Sequence, residues 1–179
     1  MNFKKVLVTG AGGLMGDYVI KELSGQCELS GFDILPDKND LPHIQDSILN
    51  IDAVRAACKG MDAVVQIAAI PNIWSGSGSD IIHTNVTGTW NVLKAAQEAG
   101  VKRVILTSSD SVIGFTVLSG AMIPPSYLPI DHKHPRRPTD PYALSKKLCE
   151  EMAKSFVDDG AFEVCLLYTS DAADDGLSV

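Results

Sequence analysis

Lys4-Lys5-Val6-Leu7-Val8-Thr9-Gly10-Ala11-Gly12-Gly13-Leu14-Met15-Gly16 decides how this chain is built. Its first six residues form a short apolar, β-branched run, which predicts a buried strand. Asp17-Tyr18-Val19-Ile20-Lys21-Glu22-Leu23 follows with helical spacing, and Gly25 is a natural stop. Glycines at 10, 13 and 16 lie between strand and helix. Such a turn lets the backbone approach a pyrophosphate and sets its charge at the amino end of the helix. The spacing is Gly10-x-x-Gly13-x-x-Gly16 rather than G-x-G-x-x-G. No Gly-Lys-Ser/Thr follows, so a P-loop is disfavoured.

Glu28-Leu29-Ser30-Gly31-Phe32 predicts a second strand ending at Asp33, about 20 residues past the turn. An acid there hydrogen-bonds both ribose hydroxyls and repels a 2′-phosphate, which favours NAD over NADP. Much later, Pro141-Tyr142-Ala143-Leu144-Ser145-Lys146 sets a phenol and an ammonium four residues apart, on one face if helical. An unperturbed Tyr has a pKa of about 10, and moving it by one pH unit costs roughly 1.4 kcal/mol. Proton transfer near pH 7 therefore asks the site for on the order of 4 kcal/mol, which Lys146 and a cationic nicotinamide ring would supply together.

With Thr9-Gly10-x-x-Gly13-x-x-Gly16 and Tyr142-x-x-x-Lys146 both present, the chain resembles the extended short-chain dehydrogenase/reductase family. Its nearest likeness is the NAD-dependent epimerase/dehydratase branch acting on sugars. Gly60 to Ala69 looks like the family's fourth strand, Asn85 to Leu93 like its central helix, and Val104 to Gly114 like its fifth strand and serine turn. The resemblance covers roughly residues 3 to 165. It implies a Rossmann-type, doubly wound parallel sheet with helices on both faces. It further implies catalysis by Ser109, Tyr142 and Lys146. NAD would be held by Gly10, Gly13, Leu14, Met15, Gly16, Asp33, Ser47, Ile48, Ala68, Ala69, Tyr142 and Lys146.

Three positions depart from the family pattern. Gln66 stands where His is frequent, Ile113 where Tyr is frequent, and Ser47-Ile48 where an Asp-Ile pair usually cradles adenine. Asp46 is adjacent and is a candidate substitute. The stretch from Ser109 to Tyr142 is long, and its Pro-rich part, residues 123–141, reads as a substrate-side loop. Trp74 to Asp80, rich in Gly and Ser, reads as a loop near the active-site mouth.

A chain of 179 residues suits one α/β domain. Its net charge of −7, with no basic run longer than a pair such as the loop's Arg136-Arg137, argues against nucleic acid. No apolar run approaches the 18 or so residues of a membrane span, and a cytoplasmic protein is the expectation. Cys27, Cys58, Cys149 and Cys165 are scattered without C-x-x-C, which predicts free thiols, mostly buried. His132-Lys133-His134 precedes Pro135 with no third ligand in view, and reads as a solvated loop rather than a metal site.

The predicted order is strand 4–9, helix 14–24, strand 28–33, a short strand at 43–45, helix 51–58 and strand 63–68. Helix 80–99, strand 102–108, helix 140–158 and strand 162–167 follow. Alternation of β and α implies a parallel sheet. Residues 1–165 are expected to be the NAD(P)-binding domain. The Cys165-to-Asp175 segment resembles translated adapter sequence, so 166–179 is expected to be a non-native tail and the substrate domain largely missing.

The function expected is an NAD-dependent sugar, especially nucleotide-sugar, epimerase or dehydratase. The alternatives are a sugar or uronate dehydrogenase, a non-catalytic dinucleotide-sensing protein, and a fragment that is itself inert. A sugar or nucleotide-sugar is the expected small-molecule partner. A homodimer formed through helices 80–99 and 140–158 is a further expectation.

Overall fold

The computed structural model describes residues 3–114 and 123–168 of the chain. The elements follow in order as β1 (Lys5–Thr9), α1 (Leu14–Leu23), β2 (Glu28–Asp33), β3 (His43–Gln45), α2 (Ile51–Cys58) and β4 (Ala63–Gln66). Next come α3 (Gly78–Ile82), a π-helical turn (His83–Thr87), α4 (Gly88–Ala99) and β5 (Arg103–Thr107). A 3₁₀ turn (Asp110–Ile113), α5 (Pro141–Asp158) and β6 (Glu163–Leu167) complete the series. The six strands are parallel, in the order β3-β2-β1-β4-β5-β6. The chain runs outward from β1 to β3 and then returns across β1 to β4. That reversal opens a crevice beyond the carboxyl ends of β1 and β4, the standard binding place in such sheets.

Strand alternation divides the core in two. Val6 and Val8 of β1 face α1 and meet Ile20, Leu29, Ala63 and Val65. Leu7 points the other way, into the larger layer of Phe32, Val64, Val92, Val104, Leu106 and Phe156 beneath α2, α4 and α5. Helices therefore flank both faces. The α1 side thins toward the far edge, where Cys165 and Leu167 of β6 are exposed.

Local chemistry sets the helix starts. Asn50 accepts from the Ala53 N–H, Ser77 and Asp80 form a capping box, and Asp140 accepts from the Ala143 N–H ahead of Pro141.

Two predicted elements are shorter or broken. β4 stops at Gln66 rather than 68, because the N–H groups of Ile67 and Ala68 donate to Thr9 Oγ1 (3.2 and 3.3 Å) instead of to a strand. The helix predicted over 80–99 is interrupted by the π turn, whose widened backbone carries the buried Asn85. At the other end, strand pairing crosses the expected junction at 165. Leu166 pairs with Leu106 and Leu167 with Thr107, and Leu167 O accepts from Ser108 N–H at 2.6 Å. The rest of the expected tail, 169–179, lies outside the described residues, as does 115–122 of the long stretch between Ser109 and Tyr142.

Candidate active site

The glycine turn is held by close backbone approach. Gly10 has φ +73, and a Cβ there would lie 2.8 Å from Ala68 N. At Gly16 a Cβ would lie 2.1 Å from Gly10 O, so α1 can abut the turn only with glycine in that place. The α1 helix begins at Gly13 with no side-chain cap, leaving its amino end available to an anion. In front of it opens a cavity of about 850 Å³. Gly10, Gly13, Leu14, Met15, Asp33, Ser47, Ile48, Ala68 and Ala69 line this cavity, and so do Tyr142 and Lys146. Of the residues expected to hold the cofactor, only Gly16 is absent from the wall, and its part is the helix–turn contact.

Asp33 is 9% exposed at the end of β2. Its Oδ2 accepts from Gly12 N–H and its Oδ1 from Leu35 N–H, both at 2.9 Å. Each oxygen keeps a further lone pair, so the carboxylate is fixed in place and still able to accept from two hydroxyls. Asp46 also borders the cavity, but its Oδ1 accepts from Ser47 N–H (2.6 Å) and its Oδ2 from Asn50 Nδ2 (2.8 Å). Its carboxylate is thus turned to the start of α2, while Ser47 and Ile48 stay on the cavity wall.

Tyr142 and Lys146 stand one turn apart on α5, as their spacing requires, with Lys146 Nζ 5.8 Å from the centre of the Tyr142 ring. Lys146 is buried and donates to Thr107 O at 3.0 Å. Ser109 follows β5 and is close enough to Tyr142 to draw its phenol's pKa downward, but its side chain bonds Asp110 and Ser111 and it does not line the cavity. Of the three expected catalytic residues, Tyr142 and Lys146 share the cavity wall and Ser109 stands beside it.

The expected lowering of the Tyr142 pKa by Lys146 is not seen. Burial pushes the phenol up, with the Ser109 hydroxyl opposing the rise and Asp110 and Asp140 adding to it. Burial likewise pulls Lys146 down. Both groups are held toward their neutral forms by one apolar wall.

Several contributors escaped the sequence reading. Ser111 donates from Oγ to Ser109 Oγ at 2.9 Å, and Asn85 ties Ile70 to Ser145 by accepting from Ile70 N–H at 2.7 Å and donating to Ser145 Oγ at 2.9 Å. Glu150, 4% exposed, accepts from Ser108 Oγ and pairs with Arg136 Nε at 2.9 Å. The S/T-rich turn hinted at the first of these, whereas the others join residues far apart in the chain. His134 departs from the solvated loop expected of it. It is 5% exposed, and its Nε2 accepts from Ser126 N–H at 2.9 Å. Of the Gly/Ser-rich loop, Ser77 and Asp80 cap α3, and Trp74 is 81% exposed. Among the described residues no group of three or more His, Cys, Asp or Glu is placed to hold a metal, and no helix is long and apolar enough to cross a membrane.

The NAD dependent epimerase/dehydratase family model matches residues 6–172. The chain belongs to that family. The NAD-dependent epimerase/dehydratase family lies in the short-chain dehydrogenase/reductase superfamily, and NAD, the expected cofactor, is the family's own. A uronate dehydrogenase of Pseudomonas syringae pv. tomato is 31% identical over 161 residues, covering 87% of this chain and 55% of the relative. An L-arabinose 1-dehydrogenase (NAD(P)(+)) of Haloferax volcanii is 27% identical over 168 residues, covering 89% of this chain and 64% of the relative. Among solved structures, a short-chain dehydrogenase/reductase superfamily protein from Agrobacterium tumefaciens with bound NAD superposes with a TM-score of 0.82 at 31% identity. That superposition covers 92% of this chain and 48% of the other. The chain spans about half the length of the first curated relatives it matches.

Proposed function

We propose that this chain carries the cofactor-binding and proton-transfer half of an NAD-dependent sugar oxidoreductase of the epimerase/dehydratase type. One observation carries the reading. A single cavity wall runs from the glycine turn and Asp33 to Tyr142 and Lys146.

The uncapped amino end of α1 suits a pyrophosphate, Asp33 a ribose without a 2′-phosphate, and Ser47 with Ile48 an adenine. NAD, when bound, supplies the hydride acceptor. Tyr142 takes the proton from the sugar hydroxyl as that carbon is oxidised and returns it in the reverse direction. Ser109 holds the same oxygen and steadies its developing charge. Lys146 donates to Thr107 O and, in its charged form, would favour the phenolate through space. The positive charge that arrives with the cofactor supplements Lys146, which matters because burial alone holds the phenol protonated.

A simple sugar dehydrogenase is the second reading, favoured by relatives named for uronates and for L-arabinose. Residues 1–165 act as the binding domain in either case, and two copies would pair along α4 and α5, where Trp90 and Leu144 are exposed.

The test is Tyr142→Phe. NAD affinity, read by fluorescence quenching, should stay within about twofold while turnover of candidate sugars falls by roughly a thousandfold or more. Unchanged turnover would sink the mechanism. Net NADH absorbance with a sugar selects the dehydrogenase reading, and sugar conversion without it selects the epimerase.

A further inference from the structure

Most polar side chains along the cavity wall are already engaged within the protein. Asp33 and Asp46 are held by the bonds described above, Ser47 Oγ accepts from Leu49 N–H at 3.2 Å, and Thr107 Oγ1 donates to Gln66 O at 3.1 Å. Lys146 donates to Thr107 O. Thr84 also lines the cavity. A threonine inside a helix commonly turns its hydroxyl back onto a carbonyl one turn earlier. Thr84 does not: apart from the Tyr142 phenol, its hydroxyl is the one polar side-chain group of this wall that bonds no other group among the described residues.

The backbone fixes which end of the cavity Thr84 serves. It lies in the π turn His83–Thr87, next to the buried Asn85. Asn85 Nδ2 donates to Ser145 Oγ at 2.9 Å, and Asn85 O accepts from Cys149 Sγ at 3.3 Å. Ser145 stands between Tyr142 and Lys146 on α5. On its other side the Asn85 amide accepts from Ile70 N–H at 2.7 Å and donates to Ile70 O at 3.1 Å, and Ile70 is itself on the cavity wall. Thr84 is therefore pinned at the Tyr142–Lys146 end. The widened turn gives adjacent residues separate tasks: Asn85 locks onto α5, and Thr84 is left to the cavity.

We infer that Thr84 is a binding residue for a sugar-type hydroxyl at the reactive end of the cavity. Its uncharged hydroxyl both donates and accepts, which matches a ring hydroxyl that does the same. Two sources bring such a group here: the second ribose of NAD, once the first lies at Asp33, and the sugar to be oxidised. A ring held from α5 alone can pivot about its hydrogen bonds. A further bond from the π turn, on a different element, stops that rotation and fixes the orientation that hydride transfer needs. The inference rests on the sugar-oxidoreductase reading and adds a residue to its site.

Thr84→Val keeps the shape and removes the hydroxyl, whereas Thr84→Ser keeps the hydroxyl. Each is compared with wild type by calorimetric titration with ADP, with ADP-ribose and, in the presence of NAD, with a neutral aldohexose. ADP ends before the second ribose and should bind wild type and both variants alike. With the cofactor ribose as the source, Thr84→Val should weaken ADP-ribose by about fivefold. With the substrate as the source, it should spare ADP-ribose and weaken the aldohexose by about fivefold. Thr84→Ser should stay within about twofold of wild type in both arms. ADP-ribose affinity unmoved in Thr84→Val, with aldohexose binding unmoved or absent in wild type, overturns the inference. So does an equal loss of ADP, which marks a disturbed fold, or a Thr84→Ser as weak as Thr84→Val. Failure of wild type to bind either ADP or ADP-ribose overturns the proposed function itself, and so is distinguishable from a silent Thr84→Val.

Discussion

Thr9 does more at the binding crevice than its place at a strand end announces. Its Oγ1 accepts from Ile67 N–H and Ala68 N–H and donates to Gln66 Oε1, so one hydroxyl shapes the floor beneath Gly10. Thr9→Val keeps the shape and leaves two backbone donors without a partner. It should cost about 3 kcal/mol in urea unfolding and weaken NAD binding, since the Ala68 backbone abuts Gly10. The glycines, Asp33 and the Tyr142–Lys146 pair were legible beforehand because each belongs to a local pattern of fixed spacing. The role of Gln66 was not. Its amide donates to Ala68 O at 3.0 Å, a contact set by where β4 ends rather than by any repeat. The direction in which the Tyr142 pKa moves was illegible too, since it follows from burial that only the packed wall defines.

Elements were readable wherever a period ran unbroken, and misread where distant side chains redirect the backbone. The strand and helix limits of β1, α1, β2 and α2 follow the apolar spacing within a residue or so. The break at His83–Thr87 does not, because its cause is non-local: Asn85 reaches back to Ile70 and across to Ser145.

Element junctions also set the acid limit of the fold. Asp62, just before β4, accepts from the Lys4 and Lys5 N–H groups and pairs with Lys102 Nζ, which joins the starts of β1, β4 and β5. Those backbone hydrogen bonds hold its carboxyl below the ordinary carboxylate range. A folded-state pKa below the unfolded value stabilises above the unfolded pKa and is lost as pH falls through the folded one. Urea midpoints should therefore drop below about pH 4 in the wild type. In Asp62→Asn the midpoint should be lower at pH 7 and the acid slope shallower. An identical slope in both proteins would remove Asp62 from that account.

At the scale of the molecule, thiol chemistry maps the packing. Cys58 and Cys149 are buried, Cys27 is half-buried and Cys165 is exposed on β6. Burial pushes the Cys58 thiol up to about 12 and that of Cys149 upward as well. At pH 8 a disulfide reagent should label Cys165 first, and Cys58 and Cys149 only as the chain unfolds, which peptide mapping of the labelled protein reads directly. Early labelling of Cys58 would mean that the α2–α4 layer opens far below global unfolding.

The exposed side of β6 has a colloidal consequence. This strand ends the ladder of described strands, and its outward residues include Cys165 and Leu167. A ladder end with apolar side chains invites strand-to-strand addition of another copy, while a net charge of −7 holds copies apart. Dissolved salt weakens the repulsion and leaves the attraction intact. The ionic strength of the medium thus governs how concentrated this molecule remains as separate chains.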